Sequence, residues 1–420
     1  MEFNLSTLNN GLRIVTSNRP NLESVSLGIW INTGSAYETL EMNGISHFLE
    51  HMVFKGTKNY NTLQISEEIE DVGGQTNAYT AREFTAFYAK MLKNDIELAL
   101  DIIAEFLTAP TFPKDELLKE QEVVIQEIKQ SYDAPDDVIF DYMQEKAFPN
   151  QAVGRNILGT EESVRSFNES ALRKYLKSNY GADNMIVCAA GNVKHDEFVR
   201  MVEKRLSEMQ IKASFLKENQ KYAGGFQFEE RPIEQSHVIL GFDAVDYYSA
   251  DYYPCMILSS ILGGGVSSRL FQELREKRGL VYTVYSYANA HTKSGIFGIY
   301  AGTTNEELKK LIPVVCDEIK KIRTEKVSEK ELERAKTQFR AGMRMALESS
   351  SATAEIMTRQ LLLFNRIIPI DEMVENINSV TTDDIRNIAD KIFSSNPTYN
   401  LIGAISNHPD YEKLKKWLKK

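Results

Sequence analysis

The sequence predicts an α+β fold of two similar domains related by an internal repeat, each a mostly antiparallel sheet with helices packed on one face. Three observations predict it. Strand-like and helix-like stretches alternate along the whole chain. At 420 residues the chain exceeds one ordinary hydrophobic core. The second half also repeats the first. His237–Asp243 matches Ser24–Trp30, with Leu240-Gly241 against Leu27-Gly28. Lys330-Glu331-Leu332 matches Asp115-Glu116-Leu117, Ile385-Arg386 matches Leu172-Arg173, and Asn400–Ile402 matches Met185–Val187. Gly28 and Gly241 stand 213 apart, Leu117 and Leu332 215 apart. A steady offset over separated segments marks a repeat. The expected division is a domain over 1–210, a weakly periodic linker over 211–226, and a second domain over 227–420.

The elements follow in order. Phe3–Leu8, Asn10-Gly11 and Leu12–Thr16 read as a β-hairpin with a tight turn rather than a targeting signal. Val25–Ile31 reads as a buried strand. Thr62 can cap a short helix with apolar positions Ile65, Ile69 and Val72, stopped by Gly73-Gly74. Asn77–Thr80 and Phe84–Lys90 alternate as strands around Arg82-Glu83. Asn94 and Glu97 have capping-box spacing before a helix through Leu107. Pro110 and Pro113 break it, a long helix runs from Lys114 to about Tyr132, and Pro135 stops that one. Met185–Ala190 reads as a strand.

A net charge of -10 argues against nucleic acid, which favours a basic surface. Cys188, Cys255 and Cys316 are odd in number and far apart, which fits buried thiols in a reducing compartment. No apolar run reaches the ~18 residues of a membrane span.

The stretch that carries chemistry is Gly44-Ile-Ser-His47-Phe-Leu-Glu50-His51-Met-Val-Phe54. On a helix His47 and His51 share a face, and Glu50 sits three residues from His47. Two imidazoles at i, i+4 form a bidentate grip for zinc. A carboxylate too close to be the third ligand can take a proton from water there. The pattern is H-x-x-E-H, the reverse of H-E-x-x-H, as in inverzincin metallopeptidases; the plain alternative is a helix with two surface histidines. The repeat sets Leu262, Gly265 and Val266 opposite His47, Glu50 and His51, so the second half has no grip.

Zinc held by two imidazoles needs a further ligand. The long helix offers Glu116, Glu120, Glu122 and Glu127. Glu120 and Glu127, two turns apart, share a face with Val123, Val124 and Ile128. A carboxylate among apolar residues needs a partner, and a cation is one; exposed helix charges are the alternative.

The chain resembles the pitrilysin family of zinc peptidases over nearly its whole length. Within that family it resembles the half-length members related to the catalytic subunit of mitochondrial processing peptidase. The resemblance implies that Glu127, in Val123-Val-Ile-Gln-Glu127-Ile, is the third ligand of one Zn2+ per chain, and that Glu120 assists. It implies that Arg275 and Tyr282, seven apart in the second domain, steady the oxyanion. It implies that Asp137 and Asp141 receive a substrate arginine. It also implies that Gly74–Thr80, with Asn77 and Ala78, is an edge strand to which substrate adds.

The expected function is therefore a zinc endopeptidase with Glu50 as general base, acting on peptides or unfolded segments inside a chamber. The resemblance implies a homodimeric or heterodimeric clamshell, in which Arg275 and Tyr282 serve the partner's zinc; a complete site within each chain is the alternative. The rivals are a non-catalytic scaffold or peptide-binding relative, and the catalytic half of a heterodimer. The expected location is a bacterial cytoplasm, with the mitochondrial matrix as the alternative.

Overall fold

The computed structural model describes residues 2–213 and 220–419. Residues 214–219 of the expected linker lie outside the described residues, and Gly225 and Phe226 at its end already belong to a strand. The first half runs β1 (Asn4–Thr7), β2 (Arg13–Asn18), β3 (Ser24–Ile31), α1 (Ile45–Val53), α2 (Thr62–Asp71), β4 (Gln75–Thr80) and β5 (Thr85–Leu92). It continues with α3 (Ile96–Thr108), α4 (Lys114–Asp133), α5 (Pro135–Ala147), α6 (Glu161–Ser166), α7 (Glu169–Asn179), β6 (Met185–Gly191) and α8 (His195–Leu206). The second half runs β7 (Gly225–Glu230), β8 (Gln235–Asp243), α9 (Tyr252–Gly263), β9 (Thr283–Ala290), β10 (Gly295–Thr304), α10 (Leu308–Thr324) and α11 (Glu329–Ala346). It ends with α12 (Ser350–Phe364), α13 (Ile370–Ser379), α14 (Thr382–Phe393), β11 (Thr398–Gly403) and α15 (Tyr411–Lys419).

The opening hairpin forms as expected, with Thr7 opposite Arg13. Two expected caps do not. The cap of α2 is Asn61, whose side chain accepts from the Gln64 amide while Gln64 answers its own; Thr62 is the first helical residue and donates to the Lys55 carbonyl. No capping box opens α3, because Lys93–Asp95 form a 3-10 turn and Glu97 is drawn to Arg205, 2.8 Å away.

Two sheets carry the repeat. The first has the order β1-β2-β6-β3-β5-β4 and the second β7-β11-β8-β10-β9. With β2 set on β7 the orders coincide, and β1 is the one extra strand. Each sheet has a single parallel pair, β2 with β6 and β7 with β11. One sequence match is out of register. Gly28 pairs with Cys188 and Gly241 with Thr398, so β6 and β11 correspond at 210 residues rather than 215. The match of Asn400 with Met185 is thus off by five, an odd number that reverses which face each side chain takes.

The chain forms two compact units that divide it differently from the repeat. The first comprises Met1–Lys129, Arg155–Glu218 and Met343–Ile370, the second Gln130–Gly154, Asn219–Gly342 and Asp371–Lys420. In the first unit the chain's own helices cover one face of the sheet. Val25, Leu27, Ile29 and Phe87 are buried there with residues of α1, α3, α4, α7 and α8. The other face is taken by α12. Trp30, Ile186 and Cys188 pack on Ala354, Met357 and Leu361, and Glu355 accepts hydrogen bonds from Trp30 Nε1 and Tyr79 Oη, each 2.7 Å.

In the second unit α5 plays the matching part. Phe140 stacks on Tyr300 with ring centroids 5.6 Å apart, and a Cβ at Gly241 would lie 3.1 Å from Met143 Sδ. Pro135 and Ser350, the first residues of α5 and α12, stand 215 apart, so these helices are repeat counterparts. All three cysteines are buried and free. Among the described residues no helix is long and apolar enough to cross a membrane.

Replacing Glu355 by Ala leaves two donors over the first sheet without an acceptor, which costs about 2 kcal/mol or more. Urea unfolding followed by tryptophan fluorescence should show the lowered midpoint, and a midpoint equal to the parent's would refute the role of this carboxylate.

Candidate metal centre

The stripe Ile45, Phe48, Leu49, Met52 and Val53 buries one side of α1, which turns His47, Glu50 and His51 to the other. The start of α1 is fixed by unusual means. Gly44 enters it at φ 93°, and a Cβ there would lie 2.6 Å from the Leu158 carbonyl oxygen. The helix has no side-chain cap of its own. Instead the buried carboxylate of Glu38 accepts from the Gly44 and Ser46 amides, each 2.8 Å. Burial pushes the Glu38 carboxyl upward, against the pull of its bonds from Ser46, Gly44 and Asn43. Ser46 Oγ also meets Tyr175 Oη of α7 at 2.7 Å.

Across from α1 stands α4. Glu127 Oε2 lies 3.7 Å from His47 Nε2 and 3.5 Å from His51 Nε2. The three ligand atoms lie within 4.8 Å of one another, the one such group among the described residues. Zinc bonds of about 2.0–2.1 Å at tetrahedral angles set ligand atoms roughly 3.3 Å apart, so both spacings fit an ion with little movement. Glu116 and Glu122 are spent elsewhere, in surface pairs with Lys119 at 2.7 Å and Arg165 at 2.5 Å. Val124 is buried on the working side of α4, while Val123 faces solvent.

Behind the two imidazoles, Glu120 is held between His51 and Lys55. Its Oε2 is 3.1 Å from His51 Nδ1 and its Oε1 2.7 Å from Lys55 Nζ. A proton on Nδ1 leaves Nε2 of His51 free to bind a cation. Burial alone would raise the Glu120 carboxyl, but His51 and Lys55 outweigh it and hold it below the usual range. Burial likewise pulls His51 down, and its bond to Glu120 with the charges of Glu127 and Glu50 raises it on balance. His47 has no such support. Burial, with His51 beside it, lowers its imidazole to about 3, so it is neutral near pH 7. Its Nδ1 is buried without a hydrogen-bond partner. Glu50 is raised by burial, against the Thr80 hydroxyl that donates to its Oε2 at 2.6 Å. A carboxylate with raised basicity beside a metal grip can act as a general base.

β4 lies at the sheet edge, paired among the described residues with β5 alone. Asn77 is exposed on it, with Oδ1 accepting from the Ala78 amide at 2.8 Å.

The structure thus brings His47, Glu50, His51, Glu120, Glu127, Asn77 and Ala78 into the first unit. Asp137, Asp141, Arg275 and Tyr282 belong to the second. Asp137 and Asp141 lie one turn apart on α5, and Asp137 accepts from Ser131 Oγ at 3.1 Å. Arg275 is exposed on a π-helical turn over Phe271–Glu276, its guanidinium 5.0 Å from the Phe271 ring centroid. Tyr282 is 62% exposed. Sequence reasoning missed Glu38, Lys55 and Thr80. Lys55 had a signal, since it follows His51 by four residues.

The counterpart of α1 is α9, which ends at Gly263. A Cβ at Gly263 would lie 2.3 Å from the Ser286 amide nitrogen, so close contact with β9 takes the place of the histidine-bearing turn.

Residues 13–161 match the family described as Insulinase (Peptidase family M16), and residues 166–339 match the Peptidase M16 inactive domain. A Rickettsia felis protein named uncharacterized zinc protease is 41% identical over 96% of this chain and 97% of its own. An Arabidopsis thaliana protein named probable mitochondrial-processing peptidase subunit beta is 32% identical over 99% of this chain and 81% of its own. Among solved structures, the peptidase M16 inactive domain from Pseudomonas fluorescens superposes with a TM-score of 0.90 at 18% identity, covering 98% of this chain and 100% of that one.

Replacing Glu38 by Ala strands the Gly44 and Ser46 amides and should lower stability by about 2 kcal/mol. Urea unfolding of the metal-free protein measures it, and a change below about 0.5 kcal/mol would remove Glu38 as the cap.

Proposed function

The chain belongs to peptidase family M16, the insulinase family, and is a zinc-dependent protease of it; from that premise we propose that His47, His51 and Glu127 hold one zinc ion per chain and that Glu50 is the general base of peptide hydrolysis. The observation that carries this reading is the approach of Glu127 Oε2 to both imidazole Nε2 atoms, 3.7 and 3.5 Å. Zinc bound there supplies Lewis acidity, which polarises a carbonyl and acidifies a water.

The chain's own residues do the rest. An extended substrate adds to the free edge of β4 by main-chain hydrogen bonds, which gives affinity with little demand on sequence. Glu50 takes the proton from the attacking water and returns it to the leaving amine. Glu120 is a positioning residue, keeping the proton of His51 on Nδ1. Arg275 and Tyr282 donate to the oxyanion as negative charge develops. Asp137 and Asp141 offer carboxylates to an arginine of the substrate, so the substrates are basic peptides or unfolded segments cleaved within an enclosed chamber. The Arabidopsis relative is named a subunit, which favours a two-chain assembly, homodimeric or heterodimeric. Its bacterial relatives favour a bacterial cytoplasm.

Glu50→Gln should retain zinc and lose roughly 10²–10⁴-fold in cleavage of a quenched peptide; undiminished cleavage would dismiss Glu50 as the base. His47→Ala and Glu127→Ala should each release zinc, read by elemental analysis, and chelator should silence the parent enzyme. An Arg275→Ala chain mixed with a Glu50→Gln chain should regain part of the activity if sites are shared between chains. No recovery after demonstrated subunit exchange would place a complete site in each chain.

A further inference from the structure

Glu50 is a long side chain with several rotamers, and a general base must meet its proton within a narrow range of distance and angle. Its carboxylate has one hydrogen-bond partner among the described residues, the hydroxyl of Thr80, which donates to Oε2 at 2.6 Å. No backbone amide and no cationic side chain shares that task. Thr80 is the last residue of β4 and pairs with Thr85. The residue before it, Tyr79, donates to Glu355 of α12 at 2.7 Å. The end of the edge strand is therefore fastened on both faces, through Tyr79 to α12 and through Thr80 to α1. Asn77 and Ala78 lie three and two residues upstream on the same strand.

We infer that Thr80 is a positioning residue for Glu50: its hydroxyl holds one carboxylate oxygen and leaves the other directed to the attacking water, and it joins the strand that receives substrate to the base that acts on it. The inference rests on the peptidase reading above. Threonine suits the task, since its branched Cβ is stiff in a strand and presents the hydroxyl in a narrow range of χ1. A hydrogen bond to a charged acceptor is strong enough that losing it should lower the rate about tenfold or more.

Thr80→Val keeps shape and strand preference and removes only the hydroxyl; Thr80→Ser keeps the hydroxyl. Parent, Glu50→Gln, Thr80→Val and Thr80→Ser are assayed together on one quenched peptide, with zinc content and thermal midpoint measured for each. The expected result is a kcat about tenfold or more below the parent in Thr80→Val, KM within about twofold, zinc unchanged, and most of the rate restored in Thr80→Ser. A Thr80→Val enzyme with the parent's kcat, a loss confined to KM, loss of zinc, or a Thr80→Ser enzyme as poor as Thr80→Val would each overturn the inference. Activity in Glu50→Gln would instead overturn the role of Glu50. Crystal structures of zinc-loaded parent and Thr80→Val give a readout free of turnover. Glu50 should leave its single conformer when the hydroxyl is gone, and an unmoved Glu50 refutes the assignment whatever the kinetics show.

Discussion

The candidate metal centre depends on one buried carboxylate. Glu120 is 5% exposed and ionised, a state that burial opposes strongly unless opposite charges stand close. Lys55 supplies that charge on one oxygen, and His51 Nδ1 lies at hydrogen-bond distance from the other. The arrangement works in both directions. Lys55 keeps Glu120 charged, and Glu120 keeps His51 from rotating, so the orientation of one imidazole is set from outside the His47–His51–Glu127 cluster. His47, on the same helix face, lacks any such restraint on its Nδ1. The two imidazoles are thus unequal, one fixed through a charged relay and one only by packing.

Much of this was legible in the sequence because period and spacing are local properties. The H-x-x-E-H turn, the shared face of Glu120 and Glu127, and the repeat of strands around Gly28 and Gly241 are all consequences of 3.6- and 2-residue periods. What was not legible depends on partners distant in sequence. Glu38 caps α1 from six residues before the helix entry, through two backbone amides that no pattern reveals. The pairs of Glu116 with Lys119 and of Glu122 with Arg165 likewise join residues that no helical period marks as partners of the cluster. The Asn400 match failed because short apolar strands look alike at several offsets, and only hydrogen-bond register selects among them.

The repeat also shows how one architecture carries chemistry once. Both halves have the same strand order, and both place a helix after the strand that holds the Leu-Gly pair. In the first half that helix turns two imidazoles and a carboxylate outward. In the second its end is pressed on β9 at Gly263, where no side chain fits. The difference lies in a few residues around one turn, while the sheets beneath remain comparable. Function here is a local property grafted onto a duplicated scaffold.

The exchange of α5 and α12 has a consequence for biosynthesis. Nascent chains emerge amino terminus first, and domains commonly fold as they appear. This one cannot do so in full. Trp30, Ile186 and Cys188 wait for Ala354, Met357 and Leu361, so a greasy surface stays uncovered until α12 has been made, more than 150 residues after Cys188. A ribosome stalled midway would therefore release a sticky fragment that holds His47, His51 and Glu127 but lacks the lid over the reverse of its own sheet.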